Sequence, residues 1–124
     1  MCFNESLRMD PPVMISSNLV FTKDTHILDK KYFIKKGDSL SVFIYELHYN
    51  PKYWIEPEKF IPERFDPHSD YYLQPDGKKR HPLAFTPFLG GKRICTGKTF
   101  AEVISKFVVP AILGKYEFLF EDKE

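Results

Sequence analysis

The sequence predicts a mixed fold that is mainly α-helical with a small antiparallel β-sheet. Short β-rich runs separated by turn residues occupy residues 18–45, prolines interrupt residues 46–88, and an apolar stretch with helical spacing follows Gly97. With 124 residues, of which 43% are hydrophobic, the chain has the composition of one globular domain or part of one.

A short helix is predicted at the start of the chain, over residues 2–9. It should end at Asp10-Pro11-Pro12, because proline disfavours helical geometry in the residue before it. A helix of about two turns is marginal alone. Such a beginning predicts that the chain is truncated at its N-terminus.

Four runs are then predicted as strands, at residues 18–22, 26–28, 32–34 and 40–45. They are rich in β-branched and aromatic residues, or alternate between apolar and polar ones. Two turn sequences separate them, Asp29-Lys30-Lys31 and Lys35-Lys36-Gly37-Asp38. A β-hairpin within a small sheet is expected.

Proline dominates the middle of the chain. Seven of the ten prolines lie in this part, at positions 51, 57, 62, 67, 75, 82 and 87. Only short helical turns fit there, for example over residues 47–54. Its aromatic residues predict an ordered, packed segment, namely Tyr53, Trp54, Phe60 and Phe65.

The longest predicted helix follows Gly97. Its apolar face consists of Phe100, Ala101, Ile104, Phe107, Val108, Ala111 and Ile112. Pro110 should loosen the last turn and Gly114 should end the helix. Residues 116–120 are then predicted as a terminal strand.

Composition excludes several classes of function. The 18 basic residues nearly balance the 17 acidic ones, which argues against nucleic acid as a partner. No run of roughly 18 apolar residues is present. Cys2 and Cys95 do not form a disulfide framework, and the four histidines lack zinc spacing with them.

Two motifs contain an arginine whose ordinary role would be that of a solvated surface residue. Glu5 and Arg8 are three residues apart and share one helix face, although most such pairs are solvated. Arg64 lies in Pro62-Glu63-Arg64-Phe65, where the ordinary interpretation is a solvated loop arginine. A guanidinium can, however, bind a carboxylate through two hydrogen bonds.

The third motif is the loop around Cys95, with the sequence Phe88-Leu89-Gly90-Gly91-Lys92-Arg93-Ile94-Cys95-Thr96-Gly97. A lone cysteine is often an inert buried residue. Here glycines allow positive φ and close approach to a flat ligand, and a helix start favours a thiolate. Soft thiolates bind iron, so a single cysteine suits a haem ligand better than a zinc site.

In combination and order, these motifs resemble those of the cytochrome P450 family of haem-thiolate monooxygenases. The match covers all 124 residues, which look like the C-terminal quarter of the family's single haem domain. Glu5-x-x-Arg8 resembles the K helix, and the turn Leu47-His48-x-x-Pro51 is similar to the segment before the meander. Pro62–Phe65 resembles the P-E-R-F signature of the meander, and residues 88–97 resemble the F-x-x-G-x-R-x-C-x-G loop. The β-hairpin and an L helix after Gly97 complete the expected fold.

The resemblance implies roles for individual residues. Cys95 would be the proximal axial ligand of the haem iron, and Arg93 would pair with a haem propionate. Phe88 would lie beside the sulfur, and Gly91 and Gly97 would complete the haem-binding loop. A buried cluster would join the K helix to the meander, made of Glu5, Arg8 and Arg64.

The sequence departs from the family pattern at two loop positions. Leu89 stands where a small or polar residue is usual, and Thr96 where an aliphatic one is usual. No counterpart of the distal I helix, which delivers protons to bound oxygen, is recognisable. The chain alone is therefore not expected to perform monooxygenation.

By the same resemblance, the full-length protein would oxidise an apolar organic substrate with electrons from an NADPH-dependent reductase or another redox partner. The basic residues 78–81 and Lys92 either steer such a partner or form an ordinary solvated loop. An intracellular location, with membrane anchoring at the endoplasmic reticulum, would fit the family. The alternative is a non-catalytic truncated fragment or pseudogene product that retains the haem-ligand motifs.

Overall fold

A computed structural model describes residues 1–119 of the chain. Its helices are α1 (Cys2–Met9), α2 (Ile44–Tyr49) and α3 (Lys98–Leu113). Its strands are β1 (Leu19–Val20), β2 (Thr25–Ile27), β3 (Tyr32–Ile34) and β4 (Ser39–Leu40). Single 3-10 turns cover Pro62–Phe65, Asp70–Tyr72, Pro82–Ala84 and Gly91–Arg93. The coarse prediction of a mixed fold with a small antiparallel sheet is confirmed.

The chain divides into two compact units, Met1–Leu89 and the part from Gly90 onward. The first unit contains α1, the four strands and α2, followed by the proline-rich segment. The second contains the Cys95 loop and α3. No described helix is long and apolar enough to cross a membrane.

Two antiparallel strand pairs form in the first unit. β2 pairs with β3, with His26 opposite Phe33, and β1 pairs with β4, with Leu19 opposite Leu40. Both predicted turns are present. In the second turn Gly37 has a φ of 93°, and the Asp38 carboxylate accepts a hydrogen bond from the Lys35 amide at 2.9 Å.

The prediction of a strand over residues 40–45 is wrong for its second half, because α2 begins at Ile44. The amides of Ile44 and Tyr45 both donate to the Met14 carbonyl, at 2.8 and 3.2 Å. Ile44 and His48 are spaced one helical turn apart, and both are buried. Burial of this face overrides the β propensity of the apolar run.

The predicted terminal strand is also wrong over residues 116–119, which form no strand, while Phe120 lies outside the described residues. A strand requires a partner for its backbone groups, and none of the described residues pairs with this segment. The long predicted helix is confirmed as α3, which ends at Leu113 before Gly114 and continues through Pro110.

The core of the first unit is polar as well as apolar. The fully buried side chains include those of Trp54, Ile44, Arg8, Arg64, His48 and Glu5. Among the described residues of the second unit none is buried, and Phe100 and Phe107 of α3 are about 70% exposed.

Candidate functional site

The Cys95 loop holds a free, solvent-exposed thiol. Before it, Gly91–Arg93 makes a 3-10 turn that starts with a φ of 63° at Gly91, a conformation suited to glycine. After it, the Lys98 amide donates to the Cys95 carbonyl at 3.3 Å, and α3 begins. A turn and a helix start thus fix the backbone on both sides of Cys95.

Gly97 leaves space beside the sulfur. A Cβ atom built on Gly97 would lie 3.7 Å from Cys95 Sγ, so this glycine faces the thiol directly. Any side chain at position 97 would therefore border the sulfur and restrict a flat ligand. The chemistry of this site fits a haem iron: one soft sulfur donor that is exposed and borders a glycine.

Arg93 is exposed two residues before Cys95. Within the described part of the second unit, the one ion pair joins Lys98 to Glu102 at 3.8 Å, so Arg93 has no carboxylate partner there. A guanidinium without a protein partner suits a carboxylate of a bound ligand.

Phe88 and Leu89 end the first unit. Phe88 is partly buried, and Leu89 has a φ of 59°, which is left-handed backbone. The Leu89 amide donates to the Thr86 carbonyl at 3.0 Å and closes a turn. Leucine is strained at this position, because its Cβ disfavours a positive φ.

The structure brings Glu5, Arg8 and Arg64 together at full burial. Arg8 donates to both carboxylate oxygens of Glu5, from Nε at 2.9 Å and from Nη2 at 2.8 Å. Arg64 Nε donates to Glu5 Oε1 at 3.1 Å, although 59 residues separate the two in sequence. One carboxylate therefore joins α1 to the 3-10 turn Pro62–Phe65.

The Glu5 carboxylate is held in its ionised form. Burial raises the pKa of Glu5, but hydrogen bonds from Arg8 and from the Ile61 amide at 2.9 Å, with the Arg8 charge and a bond from Arg64, lower that pKa below its ordinary value. Burial lowers the pKa of Arg64, against the raising effect of Glu5. An arginine remains charged throughout.

Two arginines share one carboxylate, so backbone carbonyls complete their hydrogen bonding. Arg8 donates to the carbonyls of His48 and Lys59, at 3.0 and 3.1 Å. Arg64 donates to the carbonyls of Ile55, Glu56 and Lys59. Most of these carbonyls belong to a segment that lacks regular secondary structure, and the arginines supply the hydrogen-bond donors for them.

Arg80 is a third arginine beside this cluster, and sequence reasoning missed it. It lies within the basic run Lys78-Lys79-Arg80-His81, but its guanidinium packs over the Trp54 ring at 3.9 Å from the centroid. It donates to the carbonyls of Tyr53, Arg64 and Tyr71, at 3.0, 3.3 and 2.8 Å. No pattern in the sequence distinguishes this arginine from its exposed lysine neighbours.

Burial has the largest effect on the pKa of Arg80. Burial and the neighbouring charge of Arg64 lower the pKa of Arg80 to about 10, with Glu5 acting in the opposite direction. In contrast, the side chains of Lys78 and Asp76 pair at the surface at 3.1 Å. The side chains in this basic run that remain exposed are those of Lys78, Lys79 and His81.

His48 is the second residue that sequence reasoning missed as a structural centre. Its ring is fully buried, and both ring nitrogens have backbone partners. Nδ1 lies 3.2 Å from the Arg8 carbonyl, and the Thr86 amide donates to Nε2 at 3.0 Å. The one-turn spacing from the buried Ile44 is the signal that could have indicated its burial.

No group of three or more His, Cys, Asp or Glu side chains within residues 1–119 is placed to hold a metal ion. Of the two free, exposed cysteines, Cys2 and Cys95, it is Cys95 that lies between the turn Gly91–Arg93 and the start of α3.

Comparison with known proteins gives a consistent result. The profile of the family described as Cytochrome P450 matches residues 1–124. Cytochrome P450 4F6 of Rattus norvegicus is 39% identical over 124 residues, all of this chain and 21% of the relative. Cytochrome P450 4F2 of Homo sapiens is 40% identical over 119 residues, 96% of this chain and 21% of the relative.

A third relative is Leukotriene-B4 omega-hydroxylase 3 of Mus musculus, which is 39% identical over the whole chain and matched over 22% of its own length. The chain thus spans about a fifth of the length of the curated relatives it matches. The family profile and these relatives agree, and the chain belongs to the cytochrome P450 family, whose members bind haem through a cysteine thiolate.

Proposed function

We propose that this chain is the haem-binding C-terminal segment of a cytochrome P450 monooxygenase, with Cys95 as the axial thiolate ligand. The observation that carries the proposal is the exposed Cys95 thiol, which borders Gly97 and precedes α3. When bound, the haem supplies an iron centre that activates oxygen, and thiolate donation favours O–O cleavage.

The surrounding residues orient and anchor the haem in this proposal. Arg93 is exposed and unpaired within the described residues of its unit, and it binds a propionate. Gly91 supplies the positive φ of the loop, and Gly97 leaves room beside the sulfur. Phe88 would limit water near the ligand bond and tune the iron.

The remaining elements correspond to named parts of the family fold. We assign α1 as the K helix, the β2–β3 pair as the hairpin, the proline-rich segment around Pro62–Phe65 as the meander and α3 as the L helix. The buried cluster of Glu5, Arg8 and Arg64 would then hold the meander against the K helix. Its role is structural, since none of its atoms is exposed.

The substrate class and the redox partner can be inferred in general terms from the family. We infer an apolar organic substrate for the full-length protein, and electrons delivered by an NADPH-dependent reductase or a similar redox partner. Exposed lysines, including Lys79 and Lys92, would contribute to steering an acidic partner. The leukotriene in the name of the mouse relative is that protein's substrate.

The decisive experiment is a spectrum. The 124-residue chain is expressed with haem, reduced and exposed to carbon monoxide, and we expect the red-shifted Soret band of thiolate ligation. Cys95→Ser should abolish this band. Cys2→Ser is the matched control, because Cys2 is the other free, exposed cysteine and should leave the band unchanged.

Two results would overturn the proposal. The first is the absence of the band from the unsubstituted chain, which would favour the alternative of a non-catalytic product that only retains the motifs. The second is a thiolate band that persists in Cys95→Ser and disappears in Cys2→Ser.

A further inference from the structure

His48 is buried in α2 and bonded to two segments that are distant in sequence. Its Nδ1 contacts the Arg8 carbonyl at the end of α1, 40 residues earlier, at 3.2 Å. Its Nε2 accepts the Thr86 amide, 38 residues later, at 3.0 Å. The His48 ring also packs on the Phe85 ring, with centroids 5.3 Å apart.

These partners determine the tautomer of the ring. A backbone amide can only donate, so Nε2 of His48 must carry a lone pair towards Thr86. A carbonyl can only accept, so Nδ1 must carry the proton towards Arg8. Protonation of Nε2 would place one donor against another and break the bond to Thr86.

Thr86 lies just before the haem-binding loop. Its amide is bonded to His48, and its carbonyl accepts the Leu89 amide at 3.0 Å. Phe88 therefore lies inside a turn whose first residue is tied to His48. The placement of this turn depends on the hydrogen bond from the Thr86 backbone amide and not on the Thr86 side chain.

We propose that His48 is a positioning residue, which in its neutral Nδ1–H tautomer ties α1 to Thr86 and thereby holds the turn that contains Phe88. This inference rests on the proposed haem-binding function for its consequence, but the tie itself exists without haem.

The electrostatic surroundings keep His48 neutral. Burial lowers the pKa of His48 to about 4, and the Arg8 charge acts in the same direction, while backbone bonds to Arg8 and Leu7 oppose them. From α1 the charged groups near the ring are Arg8 and its partner Glu5. From the other side, the contacts of the ring are Phe85 and the Thr86 amide, which do not titrate.

Two substitutions separate the two bonds of the ring. His48→Gln places a side-chain oxygen near the Nε2 position and preserves an acceptor for Thr86. His48→Asn places an amide near the Nδ1 position, so it preserves a donor for Arg8 and loses the acceptor. Both remove the aromatic ring and keep a neutral amide, and Asn is shorter than Gln by one methylene group.

The test uses the 124-residue chain without haem and follows exchange of the Thr86 amide by NMR. Exchange should be about five- to tenfold faster in His48→Asn than in His48→Gln, the factor expected for one lost hydrogen bond. In the unsubstituted chain, this protection should be lost as the pH falls through about 4. Equal exchange in the two variants would overturn the tie.

A measurement on the unsubstituted chain covers the case in which neither variant folds. Ring nitrogen shifts of His48 at neutral pH should report a protonated Nδ1 and an unprotonated Nε2. The opposite tautomer, or an ordinary titration near pH 6.5, would overturn the proposal.

The consequence for haem is tested with the same variants after loading. The fraction of the reduced, carbon-monoxide-bound chain that shows the thiolate band should be lower in His48→Asn than in His48→Gln. Equal fractions would remove the positioning role even if Thr86 exchange differs. If the band is absent from every chain, both the proposed function and the positioning role fail. The exchange measurement alone tests the hydrogen bond between His48 and Thr86.

Discussion

Residues 1–89 include charged side chains that are completely buried, whereas no side chain is buried among the described residues from Gly90 onward. In the first region Glu5, Arg8 and Arg64 are inaccessible and fully bonded. In the second, α3 is held by its own backbone hydrogen bonds, and the apolar Phe100 and Phe107 remain exposed. The first region depends on specific long-range partners, and the second on local helix formation.

This difference has consequences for mutation. Where a buried charge relies on one partner, removing that partner leaves an uncompensated charge, and the loss of stability is large. Where the structure is local, single changes should alter chemistry or ligand binding more than folding. The chain's single tryptophan, Trp54, is buried in the first region, so its fluorescence reports the unfolding of that region alone.

The largest effect is expected for Glu5→Gln. This change removes the carboxylate shared by Arg8 and Arg64 and should lower the free energy of unfolding by about 3–5 kcal/mol. Denaturant unfolding followed by Trp54 fluorescence measures it. Glu63→Gln is the control, because Glu63 is exposed beside Arg64 and should change stability little. Equal effects of the two changes would contradict the buried-charge account.

Acid should destabilise the first region through His48. The folded-state pKa of about 4 lies below the ordinary 6.5, so the unfolded chain binds more protons between these values. Stability from this residue is therefore complete above pH 6.5 and falls as the pH drops towards 4, by about 3 kcal/mol in total. The measurement is the difference in unfolding free energy between the unsubstituted chain and His48→Gln across this range, which separates His48 from the carboxylates. A difference that does not vary with pH would refute this assignment.

A smaller effect is expected for Arg80→Met, which keeps an unbranched side chain over Trp54 but loses the donors to three carbonyls. A loss of about 2 kcal/mol is expected, because the cost of burying the Arg80 charge is also removed and offsets part of the three lost hydrogen bonds. Lys79→Met at the exposed neighbouring position should have almost no effect. If both variants unfold alike, Arg80 is not a member of the buried network.

The smallest effect concerns the end of the first region. Leu89→Asn should raise stability by about 0.5 kcal/mol, because asparagine tolerates the left-handed φ of 59° better than leucine does. In the second region, Gly91→Ala at a φ of 63° should act in the opposite direction, by about 1 kcal/mol. Thermal unfolding measures both, and a destabilising Leu89→Asn would show that Leu89 contacts outweigh its backbone strain.

Much of this structure is predictable where the signal is local. Prolines after Asp10 predict the end of α1, periodic apolar residues predict α3, and Gly37 predicts a turn. Prediction from the sequence fails where the burial of side chains determines the local structure. Residues 40–45 have β-rich composition, yet Ile44 starts a helix because its face and that of His48 pack into the core.

The candidate site divides in the same way. Cys95, Gly91 and Gly97 are recognisable because the chemistry requires those residue types close together in sequence. Arg80 and His48 are not, since their importance depends on contacts with Trp54, Arg8 and Thr86 that the sequence order does not reveal.

By itself, the sequence determined the family and the order of most elements and predicted which cysteine is the ligand, because these depend on residue identity and short-range spacing. Only the tertiary structure decided which charged side chains are buried and what satisfies them. The local sequences around Arg64 and Arg80 are similar to those around many solvated arginines. Desolvation becomes tolerable for them only where Glu5 and the carbonyls of an irregular segment converge.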